Sequence, residues 1–210
     1  MRWIVALIMI LAGLHVPAFG ADLQQFANTL RTFEADFVQE TPRAEDELMG
    51  VDIRSGHVVL ERPGRLYWHY RNSRGQEPQT LVADGRAFWI YDPELEQVTV
   101  QPINQVIRDI PLNWLLYDVP VEMNFRVRPL GKGEAGLNWF ALTPRRDTFF
   151  QSLEVGLDGD NVLRRIRFYQ SHDRLTRIRF ENVRVNQPVN EALFHFRVPK
   201  GVDVVGRVPR

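Results

Sequence analysis

The chain has no cysteine. That excludes disulfides, thiolate catalysis and cysteine-ligated metal centres, and it removes the acylated cysteine that would anchor a lipoprotein. Lysine is scarce: of the 26 basic residues only Lys132 and Lys200 are lysine, so positive charge is carried by guanidinium groups, which favour fixed hydrogen-bond geometry over plain solvation. Neither sign of charge is in excess, 26 basic residues standing against 26 acidic ones. Such a chain has no overall attraction to nucleic acid or to an anionic membrane, and no nucleic-acid partner is expected. HExxH, GxSxG, GxGxxG and a Walker A loop are all missing. His57, His69, His172 and His195 lack metal-ligand spacing, and Ser55, Ser73, Ser152 and Ser171 lack a nucleophile context. The close carboxylates Asp158/Asp160 and Glu94/Glu96 fall in turn-like segments, where solvation explains them. No catalytic residue, metal site or cofactor is therefore assigned, and the expectation is a protein that is not an enzyme.

Long apolar runs are confined to the N-terminus. Met1-Arg2 is basic, Trp3 to Leu14 is almost wholly apolar, and Ala18-Phe19-Gly20 places small residues for cleavage before Ala21. This pattern predicts a secretory signal peptide over 1–20 and one exported, soluble domain over 21–210.

What is abundant is aromatic side chain in alternating segments. A short amphipathic helix is expected over Asp22–Phe33, with Leu23, Phe26, Ala27 and Leu30 on one face, followed by a strand from Phe33 to Gln39 and a polar, acidic loop over Thr41–Glu47. Ile53–Leu60 and Arg65–Tyr70 form a strand pair joined at Glu61-Arg62-Pro63-Gly64, and Asp84-Gly85 marks a second hairpin. Ile103 to Asp118 breaks the series, with a short apolar helix expected over Ile110–Leu116. Strands resume at Met123–Arg128, Leu137–Thr143, Phe149–Gly156, Val162–Tyr169 and Leu175–Val183, and the stretch Phe194 to Val205 reads as loop with a final strand. Many short, evenly spaced strands predict an all-β barrel or strongly curved sheet, which the two helical pieces plug or cover.

Three features stand out. The hairpin Thr80–Tyr91 is bulky on both faces, with Leu81, Phe88 and Ile90 on one and Val82, Trp89 and Tyr91 on the other. Together with the apolar lid segment this suggests a cavity as well as a core. The hairpin around Ser171 must set Arg165 opposite Arg179 and Arg167 opposite Arg177 if its apolar face is kept, giving either a solvated surface relieved by Glu154 or Glu181 or a docking patch for an acidic partner. Arg62 reads either as a surface arginine stacked on a ring such as Tyr67 or as a latch whose donors hold a helical lid shut.

The motifs Phe33-x-Ala35-x-Phe37-x-Gln39, Gly56-x-x-x-Leu60-x-Arg62-Pro63, Trp68-x-Tyr70, Leu81-Val82-x-Asp84-Gly85-x-x-x-Trp89-x-Tyr91-Asp92-Pro93, Leu95-x-Gln97-Val98 and Phe194-x-Phe196-x-x-Pro199-x-Gly201-Val202 together resemble the LolA family of periplasmic lipoprotein carriers. The resemblance implies an incomplete, unclosed antiparallel β-barrel with a short helical lid and an N-terminal helix. It implies a cavity for the acyl chains of lipoproteins released by the inner-membrane LolCDE complex, handover to the outer-membrane receptor LolB, and a monomer. It places Arg62 as the lid latch. Expected cavity residues are then Leu66, Trp68, Trp89, Tyr91, Phe168, Ile178 and Phe180, and expected lid residues Ile110, Leu112, Trp114, Leu115 and Leu116. A regulatory sensor built on the same half-barrel, the receptor itself and an exported lipid hydrolase are the rival readings.

Overall fold

A computed structural model describes residues 19–43, 50–71, 78–106, 112–171 and 174–207, with side chains from Leu23 onward. Most of the expected signal peptide, most of the acidic loop Thr41–Glu47 and the lid residue Ile110 lie outside the described residues.

Helix α1 (Phe19–Thr29) precedes strands β1 (Thr32–Pro42), β2 (Val51–Glu61), β3 (Arg65–Tyr70), β4 (Thr80–Asp84), β5 (Ala87–Asp92) and β6 (Gln97–Pro102). Three single-turn helices follow, α2 (Ile103–Val106), α3 (Asn113–Leu116) and α4 (Val121–Asn124). The second half is β7 (Phe125–Lys132), β8 (Asn138–Pro144), β9 (Ser152–Leu157), β10 (Leu163–Tyr169), β11 (Leu175–Val185) and β12 (Asp203–Gly206). Among the described residues all twelve strands form one sheet in the order β12-β6-β5-β4-β3-β2-β1-β11-β10-β9-β8-β7. Neighbours are antiparallel except β12, which runs parallel to β6. The sheet ends at β7 and β12 without closing, as an incomplete barrel should.

Strand β1 is the hinge of this arrangement. It pairs along its whole length with β2 and from Phe33 to Glu40 with β11, joining the two halves of the chain at the centre of the sheet. Gly56 sits opposite Phe37, and a Cβ there would strike both the His69 carbonyl and the Phe37 ring. Its absence lets Phe37 lie across β2, 4.4 Å from the Trp68 ring and edge-on to Tyr70 at 5.3 Å. Helix α1 begins earlier and ends sooner than its periodicity predicts, because Phe33 is claimed by β1, where it pairs with Leu60 and Val185. Leu23, Phe26 and Ala27 of the helix, and Leu30 just beyond its end, are buried against the sheet core, as expected. Met123 belongs to α4 rather than to the following strand.

Candidate functional site: an apolar cavity under a helical lid

Side chains alternate across each strand, so the sheet has two faces with separate fates. On one face the row Val58–Trp68–Leu81–Ile90 crosses β2 to β5. Leu66, Trp68 and Leu81 from this half meet Phe168, Ile178 and Phe180 from β10 and β11 around one cavity of about 460 Å³. That volume falls within the ordinary range for small-ligand pockets. The two halves face each other only because the sheet curls. Leu112, Leu115 and Leu116 add a third wall.

On the other face the row Val59–Tyr67–Val82–Trp89–Val100 runs across β2 to β6. Trp89 and Tyr91 therefore do not line the cavity, contrary to the expectation from aromatic content. They form a second cluster with Val82, Val98 and Val100, roofed by Phe196 and Val202 of the C-terminal segment. Phe196 stacks on Trp89 at 5.4 Å. The Trp89 indole N–H donates to Asp84 Oδ2 at 2.9 Å, while Asp84 Oδ1 accepts from the Arg86 and Ala87 amides. Asp84-Gly85 is thus a turn that also pins the tryptophan to the outer face. Burial works against the charged carboxylate, but these N–H donors outweigh it and hold Asp84 below its ordinary value.

The lid is a single helical turn, too short to be stable alone. It is held from outside by the Arg62–Gly64 corner. Arg62 Nε donates to the Leu115 carbonyl at 2.9 Å and Nη2 to the Trp114 carbonyl at 2.9 Å. Nη1 reaches the end of α1, donating to the Ala27 carbonyl at 2.5 Å and the Leu30 carbonyl at 3.3 Å. The Gly64 amide completes the set on the Leu116 carbonyl at 2.8 Å. Three successive lid carbonyls, orphaned because the helix ends, are satisfied from one corner. Gly64 has φ +73, and a Cβ there would stand 2.8 Å from the Tyr117 hydroxyl. The Arg62 side chain is 4 % exposed and lies 3.8 Å from Asp118. Burial pulls the guanidinium below its ordinary value, Asp118 opposes that shift, and Arg31 adds to it. Arg62 bridges the lid and α1 and makes no stack on Tyr67 among the described contacts.

Of the expected lid residues, Leu112, Leu115 and Leu116 face the cavity, whereas Trp114 is fully buried and turned to α1, edge-on to Phe26 at 6.3 Å. Asn113 Oδ1 and Trp114 Nε1 are buried without hydrogen-bond partners among the described residues.

The arginine ladder has the expected register, Arg165 opposite Arg179 and Arg167 opposite Arg177. Arg167 bonds Glu154 at 3.0 Å and Arg179 pairs with Glu181 at 3.3 Å. The carboxylate that sequence reading missed is Glu134, which pairs with both Arg165 and Arg167. It stands on a tight turn between β7 and β8, where Ala135 (φ 58) and Gly136 (φ 70) are left-handed; the flanking glycines were its only local signal. The hydrogen bond from Arg167, with the nearby charge of Arg165, holds Glu134 below the usual carboxylate range. Arg167 also lies over the Trp139 ring at 4.1 Å. Among the described residues there is no cluster of three or more histidine and acidic groups to hold a metal, and no helix is long and apolar enough to cross a membrane.

Fold and cavity define an open half-barrel with an apolar, ligand-sized interior under a tethered lid. Comparison with known proteins agrees. The family model for outer membrane lipoprotein carrier protein LolA matches residues 28–197. An outer-membrane lipoprotein carrier protein of Dechloromonas aromatica is 34% identical over 88% of this chain and 86% of its own length. One from Hahella chejuensis is 32% identical over 94% of this chain and 93% of its own. A solved structure of an uncharacterized conserved protein from Thermus thermophilus shares the fold, with a TM-score of 0.55 at 12% identity over 90% of this chain and 97% of that one. The chain belongs to the LolA family of outer-membrane lipoprotein carrier proteins.

Proposed function

We propose that this protein carries lipoproteins through the periplasm by burying their acyl chains in the cavity between β3–β4, β10–β11 and the lid. The observation that carries the reading is an apolar interior walled by leucines of a lid whose backbone is held by Arg62. Each buried methylene contributes about 0.8 kcal/mol, so such an interior binds acyl chains through area alone. The lid moves as a unit because its grip is a handful of hydrogen bonds at one corner. Arg62 acts as the latch, closing the lid on α1 and releasing it when acyl chains compete for the space beneath.

In this reading the cargo comes from the inner-membrane LolCDE complex and passes to the receptor LolB, with the carrier monomeric throughout. Handover needs only that the receptor's site be the better one, since a carrier that binds too tightly keeps its cargo. Arg165 and Arg167 are engaged by Glu134 and Glu154, and Arg179 shares an exposed ion pair with Glu181, so the exposed Arg177 is the member of the ladder best placed to meet an acidic partner surface.

The test is a release assay: protein from Ala21 onward is incubated with spheroplasts and the supernatant examined for lipoproteins in soluble complex with it. Release of lipoprotein is expected. Failure with folded protein and a matched exporter would remove the carrier reading in favour of a sensor or a different lipid cargo.

A further inference from the structure

The cavity is chemically lopsided. Toward the lid its walls are Leu60, Leu66 and Leu116; at the opposite end, where β1 and β10 finish and β11 begins, they are Gln39, Thr41, Gln170 and Thr176. The registers that set Gln39 beside Ile178 and Phe168 beside Thr176 gather these polar groups at one rim. They are wired together. The Tyr70 hydroxyl donates to Gln39 Oε1 at 3.1 Å, Gln39 Nε2 donates to Thr41 Oγ1 at 3.3 Å, and the Thr41 and Thr176 hydroxyls lie 3.3 Å apart. Two hydroxyls carry two hydrogens but share one bond, so whichever donates, one O–H of the pair has no acceptor among the described residues. A chain of hydrogen bonds feeding that pair strengthens the remaining donor.

We propose that this rim is a subsite for the ester carbonyls that join fatty acyl chains to a glyceryl-cysteine, and that it discriminates acyl from plain alkyl ligands. The inference rests on the acyl-carrier reading above and adds an orientation to it. Methylene groups gain nothing from a hydroxyl, whereas a carbonyl oxygen accepts from it. Acyl tails therefore point at the lid, and the polar linkage stays at the Thr41–Thr176 rim. The spare donor has a value only for a ligand whose carbonyls arrive at that depth.

The experiment measures binding of two probes: a dipalmitoylglyceryl-cysteine peptide and its dialkyl-ether analogue, which has the same tails but no ester carbonyls. The wild-type protein is expected to bind the ester about five- to tenfold more tightly, the worth of one or two neutral hydrogen bonds. The near-isosteric double variant Thr41→Val/Thr176→Val should bind both probes alike, at the ether's affinity, and Thr41→Ser/Thr176→Ser should keep the preference. Equal wild-type affinities, or a preference that survives the valine pair, would overturn the subsite while leaving the carrier reading intact. Wild-type protein that binds neither probe would instead remove the carrier reading and the subsite with it.

Discussion

The same three strands, β3 to β5, present aromatic and aliphatic side chains on both faces, yet the two faces do different things. Outside, Trp89 is stacked under Phe196, bonded to Asp84 and roofed by a segment of the same chain. Inside, Trp68 and Leu81 look onto a cavity covered by a lid fastened at one corner. Apolar content is alike on the two faces; what separates core from candidate binding site is whether the cover is continuous with the sheet or held by a few replaceable hydrogen bonds.

That contrast can be broken from either side. Trp89→Ala removes a large buried ring and strands Asp84 without its indole partner, so it should cost about 4 kcal/mol. A chemical-denaturation curve would show it, while acyl-probe affinity of the folded fraction stays near wild type. A loss of affinity without loss of stability would put Trp89 back among the ligand contacts. Arg62→Leu should cost about 3 kcal/mol, because four main-chain carbonyls lose a charged donor inside the protein. Hydrogen exchange should rise at lid amides such as Leu115 and Leu116 before it rises in β1, and transfer to a receptor should fail although acyl binding persists. Unchanged lid exchange would mean that Arg62 does not hold it.

Acid should loosen the outer face sooner than the cavity walls. The folded Asp84 value lies below its ordinary 3.8, so its contribution is present above about pH 4 and is lost as pH falls through the depressed folded value. Asp84→Asn should therefore lower the melting temperature at neutral pH and flatten its fall below about pH 4. A variant that keeps the wild-type slope would assign the acid sensitivity to Asp36 and Asp158, which are shifted the same way. The smallest effect is expected at Glu134→Gln. Its side chain is 52% exposed, so removing this compensation from the arginine ladder should change stability by under about 1 kcal/mol. A larger loss, seen by thermal denaturation, would show that the opposed arginines depend on it.

Much of the sheet was legible because period-two alternation is a local signal. The arginine register and the two faces of the Thr80–Tyr91 hairpin follow from side-chain parity alone. Parity cannot say which face is roofed, since Phe196 is remote in sequence from Trp89 and nothing in either segment announces the stack. For the same reason parity alone cannot keep Trp89 and Tyr91 out of the cavity. Trp114 shared the apolar character of its lid neighbours, but one helical turn carries side chains in every direction, and this one points at α1. Gly56 was visible as a motif residue, and only the Phe37 ring lying across it supplies the reason.

The hydrogen bonds that Arg62 makes to the lid go to carbonyl oxygens, not to side chains. Every residue type presents the same carbonyl, so the lid segment can drift in composition without touching the lock, provided its backbone still makes a turn. A single arginine codon then carries a constraint that would otherwise be spread over a whole loop, and the lid's inner surface is left free to be retuned to a different cargo.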